Sequence, residues 1–356
     1  MASEISRILE GASACRRIER QEAKRLWKEA SIHQLAQAAH QARLKRHPEP
    51  IVTYVIDRNI NYTNICISGC KFCAYYCAPE DEQGYVLSFE ELGKKIKETK
   101  ALGGTQILLQ GGLHPDLPLE FYEDMLRFIK GHSIHCHAFS PPEIIHLSKI
   151  SGLSVARVLE RLIDAGLDSI PGGGAEILTD RVRSRIAPRK ATTDEWLAVM
   201  EEAHKQGLRT TATMMFGHVE TLEDRLEHLE RIRQLQDRTS GFTAFIPWPF
   251  QPGNTAIEVR PATALEYLRL LALSRIFLDN FDNIQASWVT QGPKVAQIAL
   301  FHGANDFGST MIEENVVAAA GVSHRLSEAE IRRYISEAGF TPRQRLMDYT
   351  LVEEDR

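Results

Sequence analysis

Four of the six cysteines in this 356-residue chain fall within one short stretch, NINYTNICISGCKFCAYYCAPE, residues 59–80. Cys66, Cys70 and Cys73 are spaced C-x3-C-x2-C, and Cys77 follows outside that pattern. A structural zinc site usually draws four ligands from two knuckles distant in sequence and closes its coordination sphere. No second knuckle exists here, because the remaining cysteines, Cys15 and Cys136, stand alone and read as small buried hydrophobes. Three thiolates on one wrapping loop suit three corners of a four-iron, four-sulfur cluster, leaving the fourth iron open to a small chelating ligand. Cys77 is not expected to be a ligand.

A loop of this kind needs a scaffold that holds it at one end of a sheet. Eight apolar runs read as strands: VTYVIDRNINYTN, TQILLQGG, IHCHAFS, DSIPGGG, TTATMMFG, GFTAFIPWPF, NIQASWV and a weaker one near GANDFGS. Helix signals fall between them. Ser88 with Glu91, Thr192 with Glu195 and Ser327 with Glu330 are capping boxes, and Ser140-Pro-Pro-Glu143 repeats the device with proline in the first turn. Strands alternating with helices imply a parallel sheet with crossover helices. The expected fold is α/β: a (β/α)8 barrel over residues 48–356, ending in a helix, with a helical extension over residues 1–47. An open doubly wound sheet is the alternative. In both, loops at the carboxyl ends of the strands build the site, and the cysteine loop follows the first strand.

Composition sets the class. Apolar residues are 43% of the chain and charged residues 25%, with a net charge of −5, typical of a globular protein with a large core. Nothing here favours nucleic acid or an anionic membrane as partner. No apolar run is long enough to span a bilayer, and the N-terminal residues lack the apolar core of a signal peptide. The expected location is the cytoplasm, where clustered thiols mean metal or catalysis rather than disulfides.

C-x3-C-x2-C after a first barrel strand, with Phe72 just before the third cysteine, is similar to the signature of the radical S-adenosylmethionine (SAM) superfamily. The resemblance implies a TIM-type barrel holding a [4Fe-4S] cluster on Cys66, Cys70 and Cys73, with SAM beside it. Gln110-Gly111-Gly112, ending the second predicted strand, resembles the element that receives the methionine amine. In IPGGGAEILTDRVRSRIAPRK, Glu176 resembles the carboxylate that holds the SAM ribose hydroxyls. Arg183 resembles a partner for the SAM carboxylate, with Arg181 and Arg185 competing for that role.

Longer strings resemble one branch of the superfamily, containing aminofutalosine synthase, the deazaflavin-forming FO synthases and cyclic dehypoxanthine futalosine synthase. GGLHP, HAFSPPEI, PGGGAEIL and GHVET are the shared stretches, and FIPWPFQPGNT and IQASWVTQGPKVAQIALFHGANDFGSTMIEENVV are most like the last family. That implies abstraction of the ribose C4' hydrogen of dehypoxanthine futalosine and cyclisation in menaquinone biosynthesis, with an external electron donor. Aminofutalosine synthase, which adds the adenosyl radical to its substrate, is the alternative; a non-catalytic iron–sulfur or zinc protein is another.

A substrate with a carboxylate and sugar hydroxyls calls for polar groups at strand ends. His137, two residues from His135 on one strand face, His218 and Glu220 in GHVET, and Ser287 and Gln291 flanking Trp288 are the candidates. Asp306 in GANDFGS is the candidate proton acceptor.

Overall fold

The computed structural model describes residues 4–322 and 324–353. Three helices open the chain: α1 (Glu4–Ser13), α2 (Arg20–Glu29) and α3 (Ile32–Arg46). Ser31 and Gln34 close a capping box at the start of α3, satisfying backbone donors that a helix start leaves free. Leu35, Ala38 and Ala42 of α3 belong to the same hydrophobic core as the barrel strands. The extension is therefore packed on the barrel's flank, and small alanines let α3 lie close to the helix Ala264–Phe277.

The first predicted strand is two: β1 (Ile51–Val55) and β2 (Asp57–Asn61), separated by Ile56. Parallel neighbours follow in chain order: β3 (Gln106–Gln110), β4 (His135–Ala138), β5 (Ser169–Ile170), β6 (Arg209–Phe216), β7 (Phe242–Pro249) and β8 (Asn283–Ile284). β9 (Asp306–Ser309) pairs with β1, Thr53 opposite Asp306. A parallel bridge between Gln285 and Asp306 joins β8 to β9, with the Ala286 N–H donating to the Asp306 carbonyl at 2.9 Å. The expected eight-stranded ring is thus closed, and every predicted strand is present.

One strand was not expected. β10 (Thr341–Gln344) runs parallel to β1, Ile51 opposite Thr341. Its sequence, TPRQ, carries neither alternation nor a β-branched run, and a proline is tolerated because β10 is an edge strand. β10 occupies the flank of β1 while β3 takes the same flank of β2 above it, and this division of neighbours splits the first strand.

The capping boxes at Ser88, Thr192 and Ser327 form as expected. The one at Ser140 does not: the Ser140 side chain caps no backbone N–H and donates to Glu143 Oε2 at 2.5 Å. Glu143 is buried and turns toward the strand ends, where it serves the site. Among the described residues no helix is long and apolar enough to cross a membrane.

Candidate active site

The loop after β2 carries Cys66, Cys70 and Cys73 into a chamber of about 240 Å³ at the carboxyl ends of the strands, also lined by Phe72, Gly112 and Lys190. All three cysteines are free thiols. Burial pushes the Cys70 and Cys73 thiols up from their usual range. Cys77 does not line this chamber; its sulfur accepts a hydrogen bond from Asn64 Nδ2 at 3.1 Å. Among the described residues no three His, Cys, Asp or Glu side chains form a group around one metal ion. A cluster asks for something else, one thiolate to each of three irons.

Gln110, Gly111 and Gly112 continue β3 into the chamber wall. A Cβ on Gly111 would lie 2.4 Å from the Tyr62 ring, and one on Gly112 would lie 2.1 Å from the Ile65 carbonyl. Only glycine lets the backbone come this near. The Gly111 N–H donates to Glu143 Oε1 at 3.2 Å, and the Tyr62 hydroxyl donates to the same oxygen at 2.7 Å. Burial pushes the Glu143 carboxyl up to about 7, against the pull of these donors.

Glu176 stands where β5's loop crosses between chambers, at φ +41, a strained conformation for a residue with a side chain. Lys190 Nζ lies 3.0 Å from its Oε1 and Arg183 Nη1 3.5 Å from its Oε2. Glu176 Oε2 is nonetheless buried without a hydrogen-bond partner, an acceptor open to a ligand's hydroxyl. Three thiols in one chamber, a close glycine wall and this unpartnered oxygen fit a cluster with SAM beside it.

Arg183 departs from expectation. It lines neither chamber, and its guanidinium donates to the Ala175 and Ala191 carbonyls. Arg181 pairs with Asp224. The cation that does face the chamber is Lys190, which also lies over the Phe72 ring, 5.2 Å from its centroid. Burial works against the Lys190 ammonium, and the Glu176 carboxylate outweighs it and keeps the amine protonated.

A second chamber of about 300 Å³ occupies the barrel interior and shares Gln110, Gly173, Gly174, Glu176, Trp248 and Val316 with the first. His137 and Ser287 line it as expected. His137 Nδ1 and the Ser169 hydroxyl are 2.7 Å apart, and burial pushes the imidazole down to about 3, so it is neutral. Ser287 Oγ is 2.8 Å from the Thr290 hydroxyl.

The other substrate candidates lie elsewhere. His218 Nδ1 is 3.1 Å from Glu220 Oε2, with both side chains almost wholly buried and outside both chambers. Glu220 accepts from the N–H groups of Gly217 and His218 and from Arg225, so the pair fastens the turn after β6. Gln291 is turned out by the short helix Trp288–Gln291. Asp306 is wholly buried away from the chambers and accepts from Thr53 at 2.5 Å and from two nitrogens of Arg345. Its role is to hold Arg345, which does line the interior chamber.

Asp57, Gln106, Arg345 and Tyr349 form the floor of that chamber. Asp57 Oδ2 accepts from Gln106 Nε2 at 2.8 Å, and its Oδ1 accepts from the Ser309 hydroxyl. The Arg345 guanidinium stacks 4.0 Å from the centre of the Tyr349 ring. Asp57 left one trace in the sequence, a lone carboxylate inside an apolar strand. Arg345 and Tyr349 left none, because they follow β10.

A closed parallel barrel with a thiol loop at its carboxyl end and a polar interior chamber defines the class. HydG, the FeFe-hydrogenase maturase of Carboxydothermus hydrogenoformans, superposes with a TM-score of 0.77 over 97% of this chain and 80% of its own, at 19% identity, which speaks for the fold alone. Residues 60–232 match the model of the radical SAM superfamily, and residues 239–355 that of the CofH/MqnC C-terminal region. The chain belongs to the radical SAM superfamily, in the branch with the CofH/MqnC C-terminal region.

Within that branch it is 48% identical to the cyclic dehypoxanthine futalosine synthase of Halalkalibacterium halodurans, over 98% of this chain and 95% of that one. It is 45% identical to the synthase of the same name from Streptomyces coelicolor, over 98% and 88%. A 5-amino-6-(D-ribitylamino)uracil–L-tyrosine 4-hydroxyphenyl transferase of Methanosarcina barkeri is 45% identical over 85% of this chain and 83% of its own.

Proposed function

We propose that this protein cyclises dehypoxanthine futalosine to cyclic dehypoxanthine futalosine, a step toward menaquinone. The observation that carries this reading is the wall common to both chambers. Glu176, Gln110 and Trp248 stand between the thiols and the barrel interior, so a reactive carbon formed beside the thiols meets a ligand in the interior without crossing solvent. The near-complete match to the synthases supports the choice of substrate.

In this reading Cys66, Cys70 and Cys73 hold the [4Fe-4S] cluster. The backbone at Gln110–Gly112 receives the methionine amine, Phe72 packs beside the cofactor, and Glu176 Oε2 accepts from the SAM ribose. Lys190 takes the place expected of Arg183 as the cation for the SAM carboxylate. Cluster and SAM, when bound, supply a 5'-deoxyadenosyl radical able to take the C4' hydrogen of the substrate ribose. His137 and Ser287 then face the substrate. The barrel's task is to hold C4' in near-attack geometry and exclude stray hydrogen donors. An external donor supplies the electron that starts turnover, and the second hydrogen would leave the cyclised substrate as a proton and an electron, the electron passing to an acceptor.

The test is an anaerobic assay with SAM, dithionite and dehypoxanthine futalosine deuterated at C4'. The label is expected in 5'-deoxyadenosine, one per turnover, with a product lighter by two hydrogens. An adenosylated product would assign the protein to aminofutalosine synthase. Turnover only with tyrosine and the ribitylaminouracil would assign it to the hydroxyphenyl transferases.

A further inference from the structure

The floor of the interior chamber carries buried oxygens that the protein leaves unpaired. Gln106 Oε1, Asn59 Oδ1 and the Tyr349 hydroxyl are each buried without a hydrogen-bond partner, and all three residues line the cavity. A buried polar atom without a partner is costly, and three on one cavity floor are a site waiting for its ligand.

The chemistry of that ligand follows from which atoms are free. The orientation of the Gln106 amide is fixed, because its nitrogen donates to Asp57 Oδ2 and a carboxylate can only accept. Its free atom is therefore the oxygen, an acceptor. Asp57 adds a carboxylate to the same floor, and Asp306 lies behind Arg345 in a two-point pair that takes up its charge. Acceptor oxygens dominate, and among the described residues the one cation on the floor, Arg345, is already paired. A substrate carboxylate would find no unpaired cation here, whereas hydroxyl groups would supply the missing donors.

We infer that this floor is a hydroxyl-recognition site, at which Gln106 Oε1, Asn59 Oδ1 and the Tyr349 hydroxyl bind the sugar hydroxyls of the substrate. The inference rests on the proposed function and orients the substrate within it: the polyol end points down the barrel and the carboxylate end does not.

Tyr349→Phe tests this cleanly, because the oxygen it removes has no partner in the fold. Binding of dehypoxanthine futalosine and of its singly deoxygenated ribose analogues is measured with SAM but no reductant, alongside the melting temperature. The expected result is a melting temperature no lower than the wild type's and a dissociation constant for the parent raised about threefold to tenfold, the value of one hydrogen bond. One deoxy analogue should bind the variant and the wild type equally. Gln106→Leu should weaken the parent similarly, with a different analogue losing its discrimination. Variants that bind the parent and every analogue as the wild type does overturn the hydroxyl site while leaving the proposed function intact. A wild type that fails to bind the parent at all overturns the substrate itself, and this inference with it.

Discussion

Lys190 Nζ lies 3.0 Å from Glu176 Oε1, and both side chains stand against the chamber that holds the thiols. Glu176 is buried and Lys190 partly so, and the carboxylate would be costly there without its cation. The second carboxylate oxygen, Oε2, has Arg183 Nη1 at 3.5 Å but accepts no hydrogen bond. A cation and an open acceptor are thus fixed side by side at the mouth of the barrel, the complement of a zwitterion attached to a ribose.

Glu176→Ala is expected to weaken SAM binding about ten- to hundredfold, since each charge-assisted hydrogen bond lost costs about 1.5–3 kcal/mol. Cluster iron should be unaffected. Anaerobic equilibrium dialysis with labelled SAM reads the change, and an unchanged dissociation constant removes Glu176 from the site.

Alanine in place of Cys66, Cys70 or Cys73 should each abolish cluster assembly, whereas Cys77→Ala should retain it, because Cys77 is engaged with Asn64 outside the chamber. Iron and sulfide analysis after anaerobic reconstitution decides. Equal loss in the Cys77 variant would make the loop a four-thiolate site.

Glu143 makes the cluster-free protein sensitive to pH. Its folded carboxyl titrates at about 7, raised from 4.5 by burial, so the folded state holds the proton more tightly than the unfolded one. The contribution to stability is full below pH 4.5 and is lost as pH rises to 7, on the order of 3 kcal/mol in all. Glu143→Gln should flatten this part of the stability–pH profile in denaturant titrations. A profile identical to the wild type's would show that Glu143 is ionised throughout.

Asp306→Ala should act on stability first. It strands the buried Arg345 guanidinium, and breaking a buried pair on one side costs about 3–5 kcal/mol. Denaturant unfolding should show this loss. A stable variant without turnover would instead restore Asp306 as the proton acceptor.

Features carried by local pattern were legible in the sequence. The thiol loop, the glycines after β3 and three of the capping boxes depend on neighbours within a few residues, and the structure brings the thiols, the glycines and Glu176 to one chamber. Arg183 and Lys190 show the limit, because both are cations in one loop and only the fold decides which faces inward. His218 and Glu220 had the right residue types at the right strand end, yet they bond each other and the turn they sit in. Asp306 and Arg345 are chosen by a contact between distant segments, which no local pattern records. The same holds for Glu143, where the expected cap gave way to Tyr62 and Gly111.

β10 pairs with β1, Ile51 beside Thr341, so almost the whole chain must be made before this contact can form. During translation the thiol loop leaves the ribosome early, with Asp57, Asn59 and Gln106 of the floor, while Arg345 and Tyr349 come late. Long-range pairing of this kind is slow to form in folding, and until it is complete the floor lacks Arg345 and Tyr349. The interior chamber is thus completed by two residues, Arg345 and Tyr349, that a segment distant in sequence brings to a floor begun by Asp57 and Asn59.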